Sequence, residues 1–146
     1  MNRNRCGPSG CRPVTDFGKN PLVLDIHQAA NHNQNFRTAL WTGEHLQVTL
    51  MCIPVVEEIG LEMHDNLDQF LRIEDGCALV QMGKDSRSLT LQRRACAGHA
   101  IVIPACTWHN IKNIGSKPLK LYSIYAPPQH PFGTVHTTKQ EAQLYE

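Results

Sequence analysis

Strand-length hydrophobic segments separated by turn residues run through most of this chain, and they constrain its fold more than any other feature. Residues 46–53 alternate apolar and polar side chains until Pro54 ends the pattern. Similar segments follow at 70–73, 77–82, 88–92, 100–103, 109–113 and 119–125. The breaks between them carry turn residues such as Gly, Pro, Asp and Ser. Short strands repeating about every 8–12 residues predict an all-β sandwich or barrel.

The two ends of the chain depart from this pattern. Residues 1–20 are rich in Gly, Pro, Asn and Arg without a hydrophobic period, which predicts a flexible N-terminal arm. Residues 21–26 predict an edge strand, and residues 31–35 a polar loop. Near the C-terminus, residues 139–144 are the one stretch with helical character, so we predict a short helical tail. We expect one domain over residues 21–146, with its barrel at about 46–126.

Composition limits the partners of this domain. The 146 residues suit a single core, and 41% hydrophobic with 18% charged residues is a globular balance. The chain has no apolar run of membrane-spanning length, and its net charge of +1 is not gathered into a basic stripe. We therefore expect a soluble protein with a small-molecule ligand and with neither a nucleic-acid nor a membrane partner.

Six cysteines occur at positions 6, 11, 52, 77, 96 and 106. A chain of this length does not need disulfides for stability, and its N-terminus lacks the apolar segment of a secretion signal. We therefore expect reduced thiols and a cytoplasmic location. Cys6 and Cys11 lack a second ligand pair at the spacing of a zinc site.

A set of potential metal ligands lies in the middle of the chain. Glu62 and His64 are two residues apart, so in an extended strand their side chains share a face, about 6.6 Å apart along the chain. Gln69 would come from the next strand, and His109 follows downstream. These four residues predict a site for one divalent metal ion. The alternative is a barrel without metal, in which Glu62 and His64 form a polar pair.

The spacing of these residues resembles the two sequence motifs of the cupin superfamily, over residues 46–126. The first motif, HxHxxxxExxxxxxG, corresponds to Glu62, His64, Gln69 and Gly76. The second motif, GxxxxxPxGxxHxxxN, corresponds to Gly98, Pro104, Cys106, His109 and Asn113. The resemblance implies a double-stranded β-helix, the cupin jelly-roll barrel, with a metal ion held by the residues at 62, 64, 69 and 109.

Besides Glu62 and Gln69 at ligand positions, three further residues depart from the usual cupin pattern. Val56 stands where a glycine commonly precedes the first motif, and Cys106 replaces the glycine of the PxG turn. A residue with a Cβ either avoids positive φ at such a position or is strained there. His99 stands where cupins commonly have Asp.

The chain is most similar to small single-domain bacterial cupins of the mannose-6-phosphate isomerase-like kind. This likeness implies a metal-dependent sugar or sugar-phosphate isomerase. Cupin phosphomannose isomerases bind zinc through Gln-x-His, a Glu and a later His; here Glu and Gln are exchanged, which conserves the ligand charge. Two histidines and one carboxylate also form the ligand set of iron oxygenases, so a dioxygenase acting on a small chelating substrate is an alternative. A non-catalytic metabolite-binding cupin is a third. Zn, Mn, Fe, Co and Ni all suit such ligands.

Other residues bear on these alternatives. No residue stands out as the base of an isomerase, and cations that could bind a phosphate are scattered at Arg72, Lys84, Arg87 and Lys112. Strand parity directs Arg72 away from Gln69. Asp68 is expected in a turn or behind the ligands.

The outer surface and the tail give two further expectations. Outward-facing Met63 and Phe70, together with the family resemblance, predict a homodimer. His130 or His136 lines the mouth of the pocket or, as we favour, both belong to a proline-fixed tail packed over the sheet or a second subunit.

Overall fold

The structure is a computed structural model that describes residues 16–145. Two antiparallel sheets face each other in the described residues, and two short helices flank them. The elements are α1 (Ile26–His32), β1 (Arg37–Thr42), β2 (Gln47–Ile53), β3 (Asp68–Asp75), β4 (Cys77–Gly83), β5 (Leu91–Cys96), β6 (Ala100–Ile103), β7 (Trp108–Asn113), β8 (Leu119–Ala126), β9 (Val135–His136) and α2 (Lys139–Leu144). The larger sheet has the order β6-β3-β8-β2-β1-β9 and the smaller β5-β4-β7. The predicted double-stranded β-helix is confirmed.

The inward-facing side chains change character along the barrel. At one end they are apolar, as in the cross-strand row Ile73–Leu121–Met51, and pack against the smaller sheet. Two residues farther along β8 and β2, the inward positions are Ser123 and Thr49, both fully buried. The barrel interior therefore has an apolar half and a polar half, and side chains two residues apart on one strand can belong to different halves.

Residues 57–64 extend the smaller sheet without forming a regular strand. Glu62 and His109 exchange backbone hydrogen bonds of 3.0 and 2.9 Å, and Ile59 N donates to Ile111 O at 2.9 Å. Isolated bridges thus place this stretch beside β7. The backbone bridge between Glu62 and His109 fixes the position of Glu62 beside β7.

The N-terminal region differs from its prediction. Residues 21–26 are not an edge strand, and residues 31–35 are not wholly loop, because α1 occupies 26–32. Asp25 caps this helix by accepting a hydrogen bond from Gln28 N at 3.0 Å. Ala30, with Ile26 and Ala29 at helical spacing, packs on Leu40 and Leu50 of the larger sheet. The apolar residues 22–24, which favoured a strand, are exposed and belong to no sheet, and α1 is so short that its apolar face leaves little signal in the sequence.

The predicted N-terminal arm is only partly covered by the structure, because residues 1–15 lie outside the described residues. Residues 16–20 pack on the barrel. The buried carboxylate of Asp16 accepts hydrogen bonds from Thr42 N at 2.9 Å, Gly18 N at 3.0 Å and Gly133 N at 2.8 Å. This side chain joins the β1–β2 turn to the C-terminal tail.

The expectation of reduced thiols is wrong for two cysteines. Cys77 and Cys96 face each other across β4 and β5, 4.0 Å apart at Cα, and form a disulfide. Cys52 and Cys106 are free thiols, and Cys6 and Cys11 lie outside the described residues. The sequence separation of 19 does not reveal the pair, because only the register of the hairpin brings the two residues together.

The hairpin that carries this disulfide is also shifted from its prediction. Strand β5 spans 91–96 and not 88–92, because Asp85 and Ser88 form a bridge that prolongs the preceding turn. Residues 91–94 are exposed, so the strand lacks the alternation that would mark it in the sequence.

The tail contains the predicted helix and one strand that was not predicted. Thr138 caps α2 by accepting from Glu141 N at 3.1 Å, and β9 pairs with β1. Between β8 and β9, Gln47 holds the backbone of residues 129 and 130 through three side-chain hydrogen bonds. The preferred expectation of a tail packed against the barrel agrees with β9 and α2, whereas His130 departs from it, because its ring lies against buried Tyr125. Neither helix within residues 16–145 has the length and apolarity to cross a membrane.

Both positions that lack the usual cupin glycine keep a left-handed backbone. Val56 has φ of 71° and Cys106 has φ of 64°. For residues with a Cβ this conformation is unfavourable by roughly 1–2 kcal/mol. Both turns keep the conformation that suits glycine, so the backbone is strained at Val56 and at Cys106.

We expect Val56→Gly to stabilise the fold by about 1 kcal/mol, because the relief of left-handed strain exceeds the added chain entropy. Val56 is 87% exposed, so little packing is lost. Urea denaturation would measure the change. The matched control is Val55→Gly, at a neighbour that does not have positive φ; it should destabilise. If Val56→Gly and Val55→Gly lowered the free energy of unfolding equally, the backbone at Val56 would not be strained.

Candidate metal centre

Three of the four predicted ligands come together in the polar half of the barrel. Single ligand atoms of Glu62, His64 and His109 lie within 4.8 Å of one another. Glu62 Oε1 is 3.4 Å from His109 Nε2 and 3.6 Å from His64 Nε2. This is the spacing of donor atoms that can share one metal ion.

The hydrogen bonds of the histidines leave their ligand atoms available. His109 Nδ1 donates to Thr107 O at 2.8 Å, so the lone pair of the neutral ring is at Nε2. The Nε2 atoms of His64 and His109 are buried and have no hydrogen-bond partner among the described residues. A backbone carbonyl that holds one ring nitrogen while the other faces a cluster is typical of metal-bound histidine.

Gln69, the fourth predicted ligand, lies on β3 and is 3% exposed. Its amide Nε2 donates to Ser123 Oγ at 2.9 Å, while its Oε1 is buried without a partner among the described residues. In the larger sheet Gln69 is next to Tyr125, whose ring is 6.1 Å from that of His64. Its carbonyl oxygen is therefore a hard donor in the interior that the other three residues share.

Glu62 is ionised in this setting. Burial by itself would raise the pKa of the carboxyl group, but His109 and His64 outweigh it and lower the pKa to about 2. The side chain keeps 28% of its surface exposed. At neutral pH the centre thus contains an ionised carboxylate beside two histidine rings and one amide.

One turn positions both histidines. Asp68 Oδ1 accepts from Ala105 N at 2.9 Å, and Cys106 N donates to His64 O at 2.7 Å. Asp68 therefore has the predicted role behind the ligands. His99, whose role the sequence did not indicate, is exposed. Its Nδ1 accepts a hydrogen bond from Cys96 N at 3.0 Å and its backbone N donates to Cys96 O at 2.9 Å, which closes the β5–β6 turn.

Two of the four scattered cations, Arg72 and Lys112, form ion pairs outside the barrel interior. Arg72 faces outward, as strand parity predicted, and pairs with Glu74. Lys112 lies 3.6 Å from Glu58 on the surface. Neither residue takes part in the metal centre.

Sequence analysis missed the polar residues that surround the ligands. Arg37 and Thr49 are buried, as are Ser123 and Tyr125. On β2 and β8, Thr49, Ser123 and Tyr125 occupy inward positions that alternate with outward ones, so a polar residue at the parity of Met51 or Leu121 was the available signal. Arg37 lies on β1 as the cross-strand neighbour of Met51.

His130 lies in the same interior, whereas His136 packs the tail. The His130 ring is edge-on to Tyr125 at 5.3 Å, and its Nε2 is buried without a partner among the described residues. Burial lowers the pKa of His130 to about 3, helped by Arg37 and His136. His136 stacks on Tyr145 and receives a 3.1 Å hydrogen bond from Arg37.

Comparison with known proteins assigns the family. The family described as Cupin domain matches residues 49–125. This chain belongs to the cupin family. It is similar to the protein YrkC of Bacillus subtilis (strain 168), with 59% identity over 133 residues. These residues cover 91% of this cupin and 72% of YrkC. Protein L612 of Acanthamoeba polyphaga mimivirus is 35% identical over 121 residues, 82% of this chain and 74% of that one.

Solved structures agree with the cupin fold. The crystal structure of BH2720 from Bacillus halodurans superposes with a TM-score of 0.89 at 59% identity, covering 90% of this cupin and 99% of that chain. KdgF from Halomonas sp. has a TM-score of 0.56 at 18% identity, covering 64% and 80%, and shares the fold alone. The predicted superfamily is confirmed, and the mannose-6-phosphate isomerase-like kind stays a prediction.

The lowered pKa of His130 gives a pH test. The unfolded chain takes up a proton near the ordinary pKa of 6.5, whereas the folded protein does so only near 3. Stability should therefore fall as the pH drops from about 6.5 towards 3. His130→Phe should make this slope shallower by up to about 1.4 kcal/mol per pH unit, measured by urea denaturation. The control His45→Phe changes a highly exposed side chain and should leave the slope unchanged.

Proposed function

We propose that this cupin binds one divalent transition metal ion through Glu62, His64, Gln69 and His109, and uses it as a small-molecule isomerase. The observation that carries the proposal is the convergence of three ligand atoms within 4.8 Å. Buried Nε2 and Oε1 atoms without partners in the described residues support it, because buried polar atoms are nearly always satisfied.

The ligand set suits a Lewis acid. A bound divalent ion would polarise a substrate oxygen, and with a single carboxylate ligand the centre would remain positively charged. Imidazole, carboxylate and amide donors without a thiolate suit Zn, Mn, Fe, Co or Ni. His109, held by Thr107 O, and Glu62, held by backbone bonds to β7, would keep their donors in place during turnover.

The surroundings of the centre favour a polar substrate. Thr49 Oγ1 and His130 Nε2 are buried polar atoms without a partner among the described residues. Such atoms can hydrogen-bond the hydroxyls of a sugar-like molecule but would be left unpaired by an apolar ring. This supports a sugar-type isomerase over an enzyme for aromatic substrates.

A dioxygenase is the second candidate. Glu62, His64 and His109 supply one carboxylate and two imidazoles, the ligand types of iron oxygenases. This reaction would consume oxygen, which an isomerase does not.

One panel of assays distinguishes the candidates. The metal-loaded protein would be given aldoses and ketoses, their phosphates, and small diketones. Aldose–ketose interconversion seen by proton NMR supports the isomerase, and oxygen uptake supports the dioxygenase. Ligand binding without either signal would indicate a metabolite-binding cupin and contradict the proposed catalysis.

We expect Glu62→Gln and His109→Ala to lower metal affinity by more than about tenfold, since changes even behind the ligands often have effects of 10–100-fold. Elemental analysis and competition with a chelator would measure it. Glu58→Gln is the matched control, because Glu58 lies on the same stretch but pairs with Lys112. Wild-type metal content in both ligand variants would refute the site.

We also propose a homodimer that forms through the outer face of the larger sheet. Phe70 is the cross-strand neighbour of Val102 on β6 and of Ile124 on β8, so the three form a continuous apolar row. Val102 is 62% exposed. A row of this kind is complementary to a second copy of itself across a two-fold axis, and the charge of Arg72, which faces outward two residues from Phe70, is paired with Glu74.

We expect Phe70→Glu to halve the molar mass measured by light scattering, because two carboxylates would be buried in the interface. Val23→Glu is the control, since Val23 is fully exposed away from this row. A monomeric wild-type protein would contradict the proposed dimer.

A further inference from the structure

The smaller sheet has one covered edge and one uncovered edge in the described residues. Its strand order is β5-β4-β7, and residues 57–64 cover the β7 edge through two isolated bridges. No segment of residues 16–145 pairs with the outer edge of β5, and residues 91–94 of this strand are exposed. An uncovered edge presents its backbone N–H and C=O groups to any extended chain that approaches it.

The backbone of β5 presents its unpaired groups at every second residue. Cys96 N and O are bonded to His99 at 3.0 and 2.9 Å, although Cys96 faces Cys77 across the ladder with β4. This pair is therefore of the non-hydrogen-bonded kind, in which the backbone groups point away from the partner strand. The ladder continues without a register shift, so Arg94 and Gln92 are of the same kind. Their N–H and C=O groups point away from β4 and are available to an added strand.

An apolar groove runs beside this edge. Its volume is about 590 Å³, and its lining includes Met82 on β4, Leu91 on β5 and Pro104 after β6. Leu91 shares the inward parity of buried Ala95 but is itself 42% exposed. A strand paired with β5 would direct alternate side chains to this face, so the groove can accommodate an apolar side chain of such a strand.

The same edge has an excess of positive charge. Four cations along it are exposed, namely Lys84 and Arg87 in the turn before β5 and Arg93 and Arg94 on the strand. None of the four forms an ion pair with a carboxylate of the described residues. Asp85 is the one acidic residue between positions 84 and 94. The partner whose charge complements this edge is acidic.

A second copy of this chain does not suit the β5 edge. Antiparallel pairing of β5 with itself would place Arg93 and Arg94 beside the same residues of the other copy. Like charges that face each other across a ladder are destabilising, and charged edges commonly prevent self-association in this way. An acidic chain meets no such repulsion.

We propose that β5 binds an extended acidic segment of a partner protein, which adds one strand to the smaller sheet. The N–H and C=O groups of Gln92 and Arg94 bond to the backbone of this segment. Residues directly opposite each other share a face of a sheet, so acidic side chains lie opposite Gln92 and Arg94 on the outer surface, and apolar ones enter the groove beside Leu91. Main-chain hydrogen bonds provide affinity in this mode, and the alternating side chains provide selectivity.

The test titrates the wild-type chain with a blocked hexapeptide of alternating Glu and Val by isothermal titration calorimetry. In the proposed pairing the N–H groups of the Glu residues point to β5, and those of the Val residues point away. N-methylation of the Glu residues should therefore weaken binding about tenfold or more, because backbone hydrogen bonds are lost, whereas N-methylation of the Val residues should change it by less than about twofold. Equal effects of the two modifications, or no measurable binding of the unmodified hexapeptide, would overturn the proposal.

Two further probes distinguish the kinds of partner. The same hexapeptide with Lys in place of Glu should bind about tenfold more weakly, because its charges repel those of the edge. A single-stranded DNA hexanucleotide has negative charge but no peptide backbone, so it should also bind more weakly than the acidic hexapeptide. Equal or tighter binding of either probe would overturn the proposal.

Variants locate the binding at the β5 edge. Gln92→Pro removes an edge N–H without removing a hydrogen bond to β4, so the protein should fold while hexapeptide binding weakens about tenfold or more. Arg94→Met should weaken it about threefold, and the control Lys112→Met, on β7 at the covered edge of the same sheet, should not change it. Wild-type affinity in both β5 variants would contradict the proposal.

Amide hydrogen exchange keeps the test decisive if Gln92→Pro does not fold. In the wild type, the acidic hexapeptide should slow the exchange of the Gln92 and Arg94 amides about tenfold or more, because both become hydrogen-bonded. The Lys112 amide, in the β4–β7 region, should be unaffected. Unchanged exchange at Gln92 and Arg94 with the hexapeptide bound would place the peptide elsewhere and overturn the proposal.

Discussion

The desolvated carboxylate of Glu62 is the interaction on which the rest of the site depends. Burial disfavours its charge, and His64 and His109 compensate for it strongly enough to lower its pKa to about 2. Such compensation requires all three groups at fixed positions, and backbone bonds supply them. Glu62 and His109 pair directly, and the turn after Pro104 binds the carbonyl of His64. The barrel thus holds a charged cluster together before any ligand binds, which reduces the reorganisation that binding would need.

The division of the barrel interior explains how one small domain combines stability with a polar site. The apolar half, with Leu71, Ile73 and Leu121 fully buried, provides the hydrophobic stabilisation. The polar half contains buried oxygen and nitrogen atoms without partners in the described residues, and each is unfavourable to folding by about 1–3 kcal/mol. A site that lowers stability in this way is typical of function, because the same atoms are satisfied when a ligand binds.

Part of the fold and site was predictable because short-range patterns record it. Period-two alternation located most strands, and the spacing of Glu62, His64 and His109 within two motifs identified candidate ligands that the structure brings together. Other elements left weaker signals. The apolar face of α1 spans only 7 residues, β9 only 2, and β5 has both faces exposed over its first residues. The missing motif glycines left two alternatives open in the sequence, and the structure decides for strain, since Val56 and Cys106 have positive φ in spite of their side chains.

By itself the sequence determined the alternation of the strands, the turns between them and the identity of the metal-ligand candidates, because these depend on residues close in the chain. Only the tertiary structure decided which distant side chains meet. It joined Cys77 to Cys96 through strand register, and it placed Arg37, Tyr125 and His130 around the metal centre. It also gave Glu62 its low pKa. Burial and electrostatic coupling depend on distances across the barrel, and such distances follow from the closure of the two sheets.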